Sequence, residues 1–251
     1  MNISDSLNDR EYGEIFYKRG NSYHEAMMSF PMARDNEFSS IFSKKPLKFN
    51  EYLLDIPAGG GYLEFFLKRH MPHLNISVQN LEFTSGFGPN ANVVSQESLW
   101  PVEQESCDRV ICLAAAHHIN DLSKLYCNLK YVLKSGGIFH LIDVAPDSGV
   151  QLFLENFVDK YTPGGHRGLY RDFFSEIYPP CFEILDISIR SCPWMFQDLG
   201  DLLDFCTGLF GLQECPRDAL EIALCNYIGV HFTCDYVSLN WELAYADMIL
   251  K

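Results

Sequence analysis

One stretch constrains this chain more than any other. The apolar run Tyr52-Leu53-Leu54-Asp55-Ile56 is stopped by Pro57-Ala58-Gly59-Gly60-Gly61 and followed at once by Tyr62-Leu63-Glu64-Phe65-Phe66-Leu67-Lys68-Arg69. A short strand pattern, a glycine turn and an amphipathic helix pattern open a βαβ unit. The alternation continues. Ile76 to Glu82 alternates apolar and polar residues as a strand does, and Asp108 to Leu113 reads as a third strand. Asn120 or Asp121 can cap a helix that turns Leu122, Leu125, Leu129 and Leu133 toward a sheet. Ser135-Gly136-Gly137 is placed to stop that helix, and Ile138 to Val144 then reads as a buried strand. Strands and helices in this order predict an α/β fold with a doubly wound, mainly parallel sheet covered on both faces.

The flanks are helical. Ile15, Phe16, Tyr23, Met27 and Met28 form apolar stripes ahead of a break at Pro31, and a second short helix is expected from Ala33 to Phe42. Beyond Pro146 the pattern predicts a helix from Gln151 to Lys160 and a glycine-rich loop to Gly168. A strand follows at Phe182 to Ile189, then helices at Leu199–Leu212 and Asp218–Ile228, and a last strand from Asp235 to Tyr245. The 251 residues are 47% hydrophobic, enough for a large core, which excludes a disordered chain. With no repeat or linker, residues 1–251 read as a single domain: a helical lid over 1–49, a core over 50–146, and a C-terminal half over 147–251 with cap helices and last strands.

Charge and cysteines narrow the function classes. Nineteen basic against 33 acidic side chains give a net charge of −14 at pH 7, which disfavours nucleic acid and anionic membranes as partners. A small or weakly charged partner, or a positively charged cofactor, fits better. The nine cysteines form no CxxC pair and their number is odd, so free thiols in a reducing cytoplasm are expected. The N-terminus lacks a signal-peptide plan, and no apolar run is long enough to span a bilayer, so a cytoplasmic protein is expected. No His, Cys, Asp and Glu spacing matches a metal motif, and no metal is predicted.

A glycine turn lets a ligand approach the backbone, and the helix that follows offers free N–H groups. The dinucleotide fingerprint is incomplete, because Gly61 is followed by Tyr62-Leu63-Glu64 where a third glycine is needed. Asp55 ends the strand just ahead of the turn, where a carboxylate repels pyrophosphate and suits a ligand with an ammonium and a sulfonium. Glu82 ends the next strand. Parallel strands bring their carboxyl ends to one edge, so Glu82 can accept from ribose hydroxyls placed over the turn.

These residues carry a resemblance. Leu53-Leu54-Asp55-Ile56-Pro57-Ala58-Gly59-Gly60-Gly61 resembles the first motif of the class I S-adenosylmethionine-dependent methyltransferases, and Glu82 falls where that family has its ribose acid. Val94 to Pro101, with Ser106 to Val110, resembles the family's adenine-binding loop and fourth strand. Ala116-His117-His118-Ile119-Asn120-Asp121 is similar to the segment after that strand, and Leu133 to Ile138 to the turn before the fifth. The match runs in order over about residues 50–145, while 1–49 and 150–251 resemble the small-molecule branch in outline. Pro57 and Ala58 replace the family's usual first glycine and its neighbour, and Gln96 stands where an aspartate often meets the adenine amine. The resemblance implies a seven-stranded, mostly parallel sheet with a helical cap, and S-adenosylmethionine as cofactor. It places Asp55, Pro57, Ala58, Gly59, Gly61, Glu82, Phe83, Gln96, Glu97, Ser98 and Leu113 around that cofactor, with Tyr23 closing from the N-terminal helix.

Methyl transfer from a sulfonium needs an aligned acceptor and the exclusion of water more than it needs a dedicated base. His118, with His117 on the substrate side, is the first catalytic candidate; the plainer alternative is an imidazole packed under the adenine or capping a helix. His166 and Arg167 lie in a glycine-rich loop, where His166 is a second catalytic candidate and Arg167 can pair with a substrate carboxylate, unless the loop merely caps the next helix. Asp143 ends the fifth strand and can approach an acceptor. Trp194, with Leu202, Cys206, Leu209 and Phe210, is an acceptor wall or ordinary core, and Arg19 or Arg34 meets the methionine carboxylate or is solvated.

The leading reading is therefore a methyltransferase acting on a small molecule or a carrier-bound acyl group. Its plan is similar to malonyl-carrier-protein methyl ester synthases and quinone C-methyltransferases, and a homodimer is left open. The alternative is a catalytically silent S-adenosylmethionine-binding regulatory or partner subunit of the same fold. An NAD(P) oxidoreductase is disfavoured by the missing third glycine and by Asp55.

Overall fold

A computed structural model gives the fold and describes residues 8–88, 91–166 and 168–251. Its main sheet has the spatial order β2 (Ser77–Asn80), β1 (Tyr52–Asp55), β3 (Cys107–Leu113), β4 (Leu133–Asp143), β9 (Glu242–Leu250), β5 (Phe182–Ser191). The first four strands are mutually parallel. β9 is antiparallel to both neighbours, so β5 again runs with the first four. Among the described residues the sheet has six strands where seven were expected: beyond β2 the pairing is one parallel bridge, Glu82 to Val93, with Val93 exposed and only Val94 turned toward the core.

A second sheet of order β6 (Trp194–Phe196), β8 (Val237–Leu239), β7 (Val230–Phe232) is antiparallel throughout. The single strand expected over Asp235–Tyr245 is thus divided between β8 and β9. It breaks where the Trp241 N–H turns back to the Leu239 carbonyl at 2.7 Å.

The sheet is covered on both faces because its strands alternate. Leu53, Ile111, Ile142 and Tyr245 join one core with Phe38, Phe66, Phe153 and Phe205. Leu54, Val110, Cys112, Leu141 and Met248 join the other with Leu125 and Leu129. The helices supply these partners: α1 (Asn8–Ser29), α2 (Asp35–Ile41), α3 (Tyr62–His70), α4 (Ser123–Val132), α5 (Gly149–Phe153), α6 (Asp159–Tyr161), α7 (Leu199–Phe210) and α8 (Arg217–Ala223). A π turn at Leu154–Val158 joins α5 to α6, and another at Leu224–Ile228 follows α8. Asp198 caps α7 by accepting from the Asp201 N–H at 2.9 Å, and Gly211 ends it in the left-handed conformation.

α4 ends at Val132, ahead of the glycines expected to stop it. Gly136, at φ 79°, instead lies in an irregular stretch of β4 where the register to β3 shifts between Cys107↔Leu133 and Arg109↔Ile138. Among the described residues no helix is long and apolar enough to cross a membrane, and all nine cysteines are free thiols.

α1 lies across the carboxyl edge of the sheet and is held there by backbone-to-backbone approach. A Cβ on Gly20 would sit 2.0 Å from the Gly86 carbonyl oxygen, and one on Gly86 would sit 2.1 Å from the Phe16 carbonyl oxygen. On its other side α1 meets α7, where a Cβ on Gly208 would sit 2.9 Å from that of Ala26. Glycine at these crossings is what lets the helix seat so closely.

Candidate active site

Strands β1, β2, β3 and β4 deliver Asp55, Asn80, Leu113 and Asp143 to one edge, with Glu82 just past β2. Between β1 and α3 the chain turns through Gly59, Gly60 and Gly61 at φ 56°, 96° and 81°, three consecutive left-handed residues that few side chains tolerate. Gly61 is the N-cap of α3, and its N–H donates to the Ala58 carbonyl at 3.0 Å. The Ala58 N–H is spent on the Leu81 carbonyl at 2.9 Å, which ties the turn to the end of β2.

Glu82 is buried at this junction. The Gly60 N–H donates to its Oε1 at 2.8 Å, while its Oε2 is buried with no hydrogen-bond partner. Burial pushes the Glu82 carboxyl up to about 8, although the Gly60 and Gly59 N–H groups pull the other way. Asp55 is buried too, and burial with Glu82 beside it raises its carboxyl well above the usual range. Two acids whose charge is suppressed by burial form a place where a cation or hydroxyl donors are favoured.

Two cavities flank this junction. The first, of about 360 Å³, is lined by Phe83, Gln96, Glu97, Trp100 and Ile119, together with Asn120, Asp121 and Lys124. The second, of about 90 Å³, is lined by Pro57, Gly59 and Leu113 from the sheet edge, Phe16, Arg19 and Tyr23 from α1, and Trp194, Trp241 and Phe210. His117 and His166 line it as well. Glu82 is adjacent to Phe83 of the first cavity and bonded to Gly60, the neighbour of Gly59 in the second.

The second cavity is roofed by a buried polar network. Arg34 donates from Nη1 to the Tyr23 hydroxyl at 2.6 Å and from Nε to Glu37 Oε2 at 3.0 Å, and its Nη2 pairs with Glu37 Oε1. The Trp194 indole N–H donates to the same carboxylate at 2.6 Å. Arg19 and Arg34 are buried rather than solvated, and both line the cavity. Arg19 lies 4.3 Å over the Phe16 ring. The sequence carried no sign of Glu37, since an acid in a short helix reads as a solvated face.

The expected site residues sort as follows. Pro57, Gly59, Leu113, Tyr23, His117, His166 and Trp194 meet at the second cavity, and Phe83, Gln96 and Glu97 at the first. Asp55, Ala58, Gly61 and Glu82 build the turn and strand ends between them. Ser98 does not face the groove: it is exposed, and its carbonyl accepts from Asn128 at 3.1 Å. Asp143 is not available to a substrate as expected, because its oxygens accept from the His117 N–H and Nδ1, both at 2.6 Å, and from the Val144 N–H at 2.7 Å. It positions His117 instead. His118 is buried behind His117, with ring centroids 4.0 Å apart, so His117 is the member of the pair that lines the cavity. Arg167 lies outside the described residues.

Comparison with known proteins agrees with this architecture. Residues 54–141 match the family model of the methyltransferase domain. The methyltransferase solved with the Haloferax volcanii Trm112 methyltransferase activator superposes with a TM-score of 0.57 at 13% identity, over 94% of this chain and 97% of that one. Geranyl diphosphate C-methyltransferase from Streptomyces coelicolor gives 0.51 at 11% identity, over 86% and 78%. A protein of Bacillus halodurans assigned as a methyltransferase gives 0.50 at 16% identity, over 85% and 98%. No curated protein matches the sequence. The chain thus has the class I methyltransferase fold, and its residues 54–141 are similar to the methyltransferase domain model.

Proposed function

We propose that this protein is an S-adenosylmethionine-dependent methyltransferase acting on a small molecule or a carrier-bound acyl group. The observation that carries the reading is Glu82: a buried carboxyl with one oxygen on the Gly60 N–H and the other without a partner, between two cavities. A buried acceptor left unpaired costs about 1–3 kcal/mol, which two ribose hydroxyls would recover. The residues at the edge fit the rest of the donor. Phe83 and Gln96 offer an apolar face and an uncharged amide to the adenine, and Asp55 offers a carboxylate to the ammonium. Arg34 and Arg19, both lining the second cavity, suit the carboxylate of the same amino acid.

When bound, the sulfonium supplies an already activated methyl group. What remains for the chain is alignment and dryness. Tyr23 stands over the glycine turn, its hydroxyl 3.5 Å from where a Cβ of Gly59 would be, and Arg34 holds it there. Trp194, Trp241 and Phe210 wall the acceptor side with apolar rings, which keeps water out and selects a compact acceptor. His117, fixed through Nδ1 by Asp143, lines the cavity and adds a polar group to the acceptor side.

The relatives solved with S-adenosylhomocysteine include a phosphoethanolamine N-methyltransferase of Haemonchus contortus and the geranyl diphosphate enzyme, both acting on small molecules. Calorimetry with S-adenosylhomocysteine tests the reading: micromolar binding at one site per chain is expected, and no binding at high micromolar ligand removes it.

A further inference from the structure

His117, His118 and His166 each offer a ring nitrogen, and these three atoms lie within 4.8 Å of one another, all on buried side chains. We propose that the three histidines form a binding site for one divalent transition-metal ion of the zinc class, with Asp143 as the outer carboxylate and the remaining coordination position facing the aromatic-walled cavity.

Several independent features converge on this. Nε2 of His117 and Nδ1 of His166 are buried without a hydrogen-bond partner, so two nitrogens capable of ligation carry an unrecovered desolvation cost. Nδ1 of His117 is already engaged by Asp143 at 2.6 Å, the carboxylate–histidine arrangement that fixes a ligating imidazole's tautomer and leaves Nε2 with its lone pair outward. The loop that carries His166 is stitched to the carbonyls of the histidine turn by the Leu169 N–H and the Arg171 guanidinium. Leu169 donates to the His117 carbonyl at 2.6 Å, and Arg171 donates to the Ala116 carbonyl at 2.7 Å and the Asn120 carbonyl at 2.8 Å. Gly168 lies so close that a Cβ there would be 2.6 Å from Cδ2 of His117. Tyr170 stacks on His117 at 5.2 Å. The ligand set is therefore held in place before any ion arrives.

The geometry asks for a small contraction. Metal–nitrogen bonds of about 2.1 Å at tetrahedral angles put ligand nitrogens about 3.4 Å apart, which ring rotations from the present spacing can reach. Three imidazoles with a fourth position open is the donor set of a reactive rather than a structural zinc site. Arg19 opposes a cation here, and the Asp143 and Asp159 carboxylates, which hold His117 and the His166 N–H, offset it. The open position would take an oxygen or nitrogen donor of a molecule entering the cavity, which suits a hydroxyl- or carbonyl-bearing acceptor.

The site can be tested on the full chain, stripped with chelator and titrated with Co²⁺ under a visible spectrum, then with Zn²⁺ in competition. One ion per chain, with a tetrahedral cobalt spectrum and no thiolate charge-transfer band, is expected. His166→Gln, on a loop held by Leu169 and Arg171, and Asp143→Asn should each weaken binding about 10–100-fold, while His73→Gln, exposed elsewhere, should change nothing. Equal affinity in wild type and His166→Gln, a thiolate band, or no binding at about 1 mM metal would overturn the proposal. Binding of S-adenosylhomocysteine to the stripped chain is read separately, so failure of the methyl-donor reading and failure of the metal site are distinguishable.

Discussion

Replacing Glu82 by glutamine should move stability and ligand affinity in opposite directions. The folded carboxyl has its value raised from 4.5 to about 8, so its stability contribution has a definite sign. Below 4.5 both folded and unfolded chains are protonated and the group contributes nothing. Between 4.5 and about 8 the folded state keeps a proton that the unfolded chain releases, and stability falls by about 1.4 kcal/mol per pH unit. Above 8 the loss is complete, up to about 5 kcal/mol. Glutamine has the same shape, can keep the bond to the Gly60 N–H, and does not ionise. Urea unfolding should show Glu82→Gln more stable than wild type by at least about 2 kcal/mol at pH 8.5, with the difference vanishing near pH 4.5. Above pH 8, where the folded carboxylate is ionised, the same variant should bind S-adenosylhomocysteine about 10–100-fold more weakly, since hydroxyls lose a charged acceptor worth about 1.5–3 kcal/mol. A pH-independent stability difference would refute the burial argument, and unchanged affinity would mean that the ribose lies elsewhere.

Three further substitutions probe the frame around the site. Gly20→Ala would gain about 1 kcal/mol from helix propensity alone, yet its Cβ would fall 2.0 Å from the Gly86 oxygen, so a net loss of about 1–2 kcal/mol is expected in calorimetric unfolding; stabilisation would show that α1 is not clamped. Glu37→Gln leaves the Arg34 cation buried against a neutral amide and should cost about 3–5 kcal/mol in urea unfolding, whereas a loss below 1 kcal/mol would place that pair in solvent. Asp247→Asn uncouples His140, bonded at 2.7 Å, from Arg190, bonded at 2.6 Å, and should cost a similar amount at pH 7. Burial alone would raise Asp247, but His140 and Arg190 outweigh it and hold it below the usual carboxylate range. Its contribution is therefore present above 3.8 and is lost as pH falls further, so wild type and variant should converge in acid unfolding.

The parts of the fold legible from sequence are those governed by local period. β1, the glycine turn and α3 follow from an apolar run, a breaker and a helical stripe, and α7 followed from apolar spacing. The small sheet was not legible, because its strands are three residues long, too short to show alternation, and β6 pairs with β8 from far along the chain. A sheet of six strands rather than seven turns on whether the segment near Val93 extends its single bridge to Glu82 into a ladder, which is a tertiary matter. In the site, Asp55 and Glu82 were legible because parallel strands must end at a common edge. The burial of Arg19 and Arg34 was not, because it depends on which side of α1 and α2 faces the sheet, and that is set by glycine contacts with Gly86 and α7 rather than by any periodic pattern.

The histidines show why residue spacing alone undercounts chemistry. Positions 117, 118 and 166 satisfy no metal motif, since such motifs record ligands brought together by one turn or one helix. Here the join is made by the tertiary fold: the Leu169 N–H and the Arg171 guanidinium of the later loop bond to carbonyls of the 116–120 turn, and that stitch places His166 beside His117. The same stitch explains Asp143. As a strand-end acid it reads like a substrate contact, but three donors from residues 117 and 144 use its oxygens, so its influence on any acceptor passes through the orientation of His117. The cavity beside these groups is small, about 90 Å³, and closed by Tyr23 and Phe16 of α1, while the cavity on the Phe83 side measures about 360 Å³. Under the proposed function, a donor would seat its adenosine against Phe83 first, and an acceptor would displace aromatic side chains of α1 or α7 before reaching the histidines.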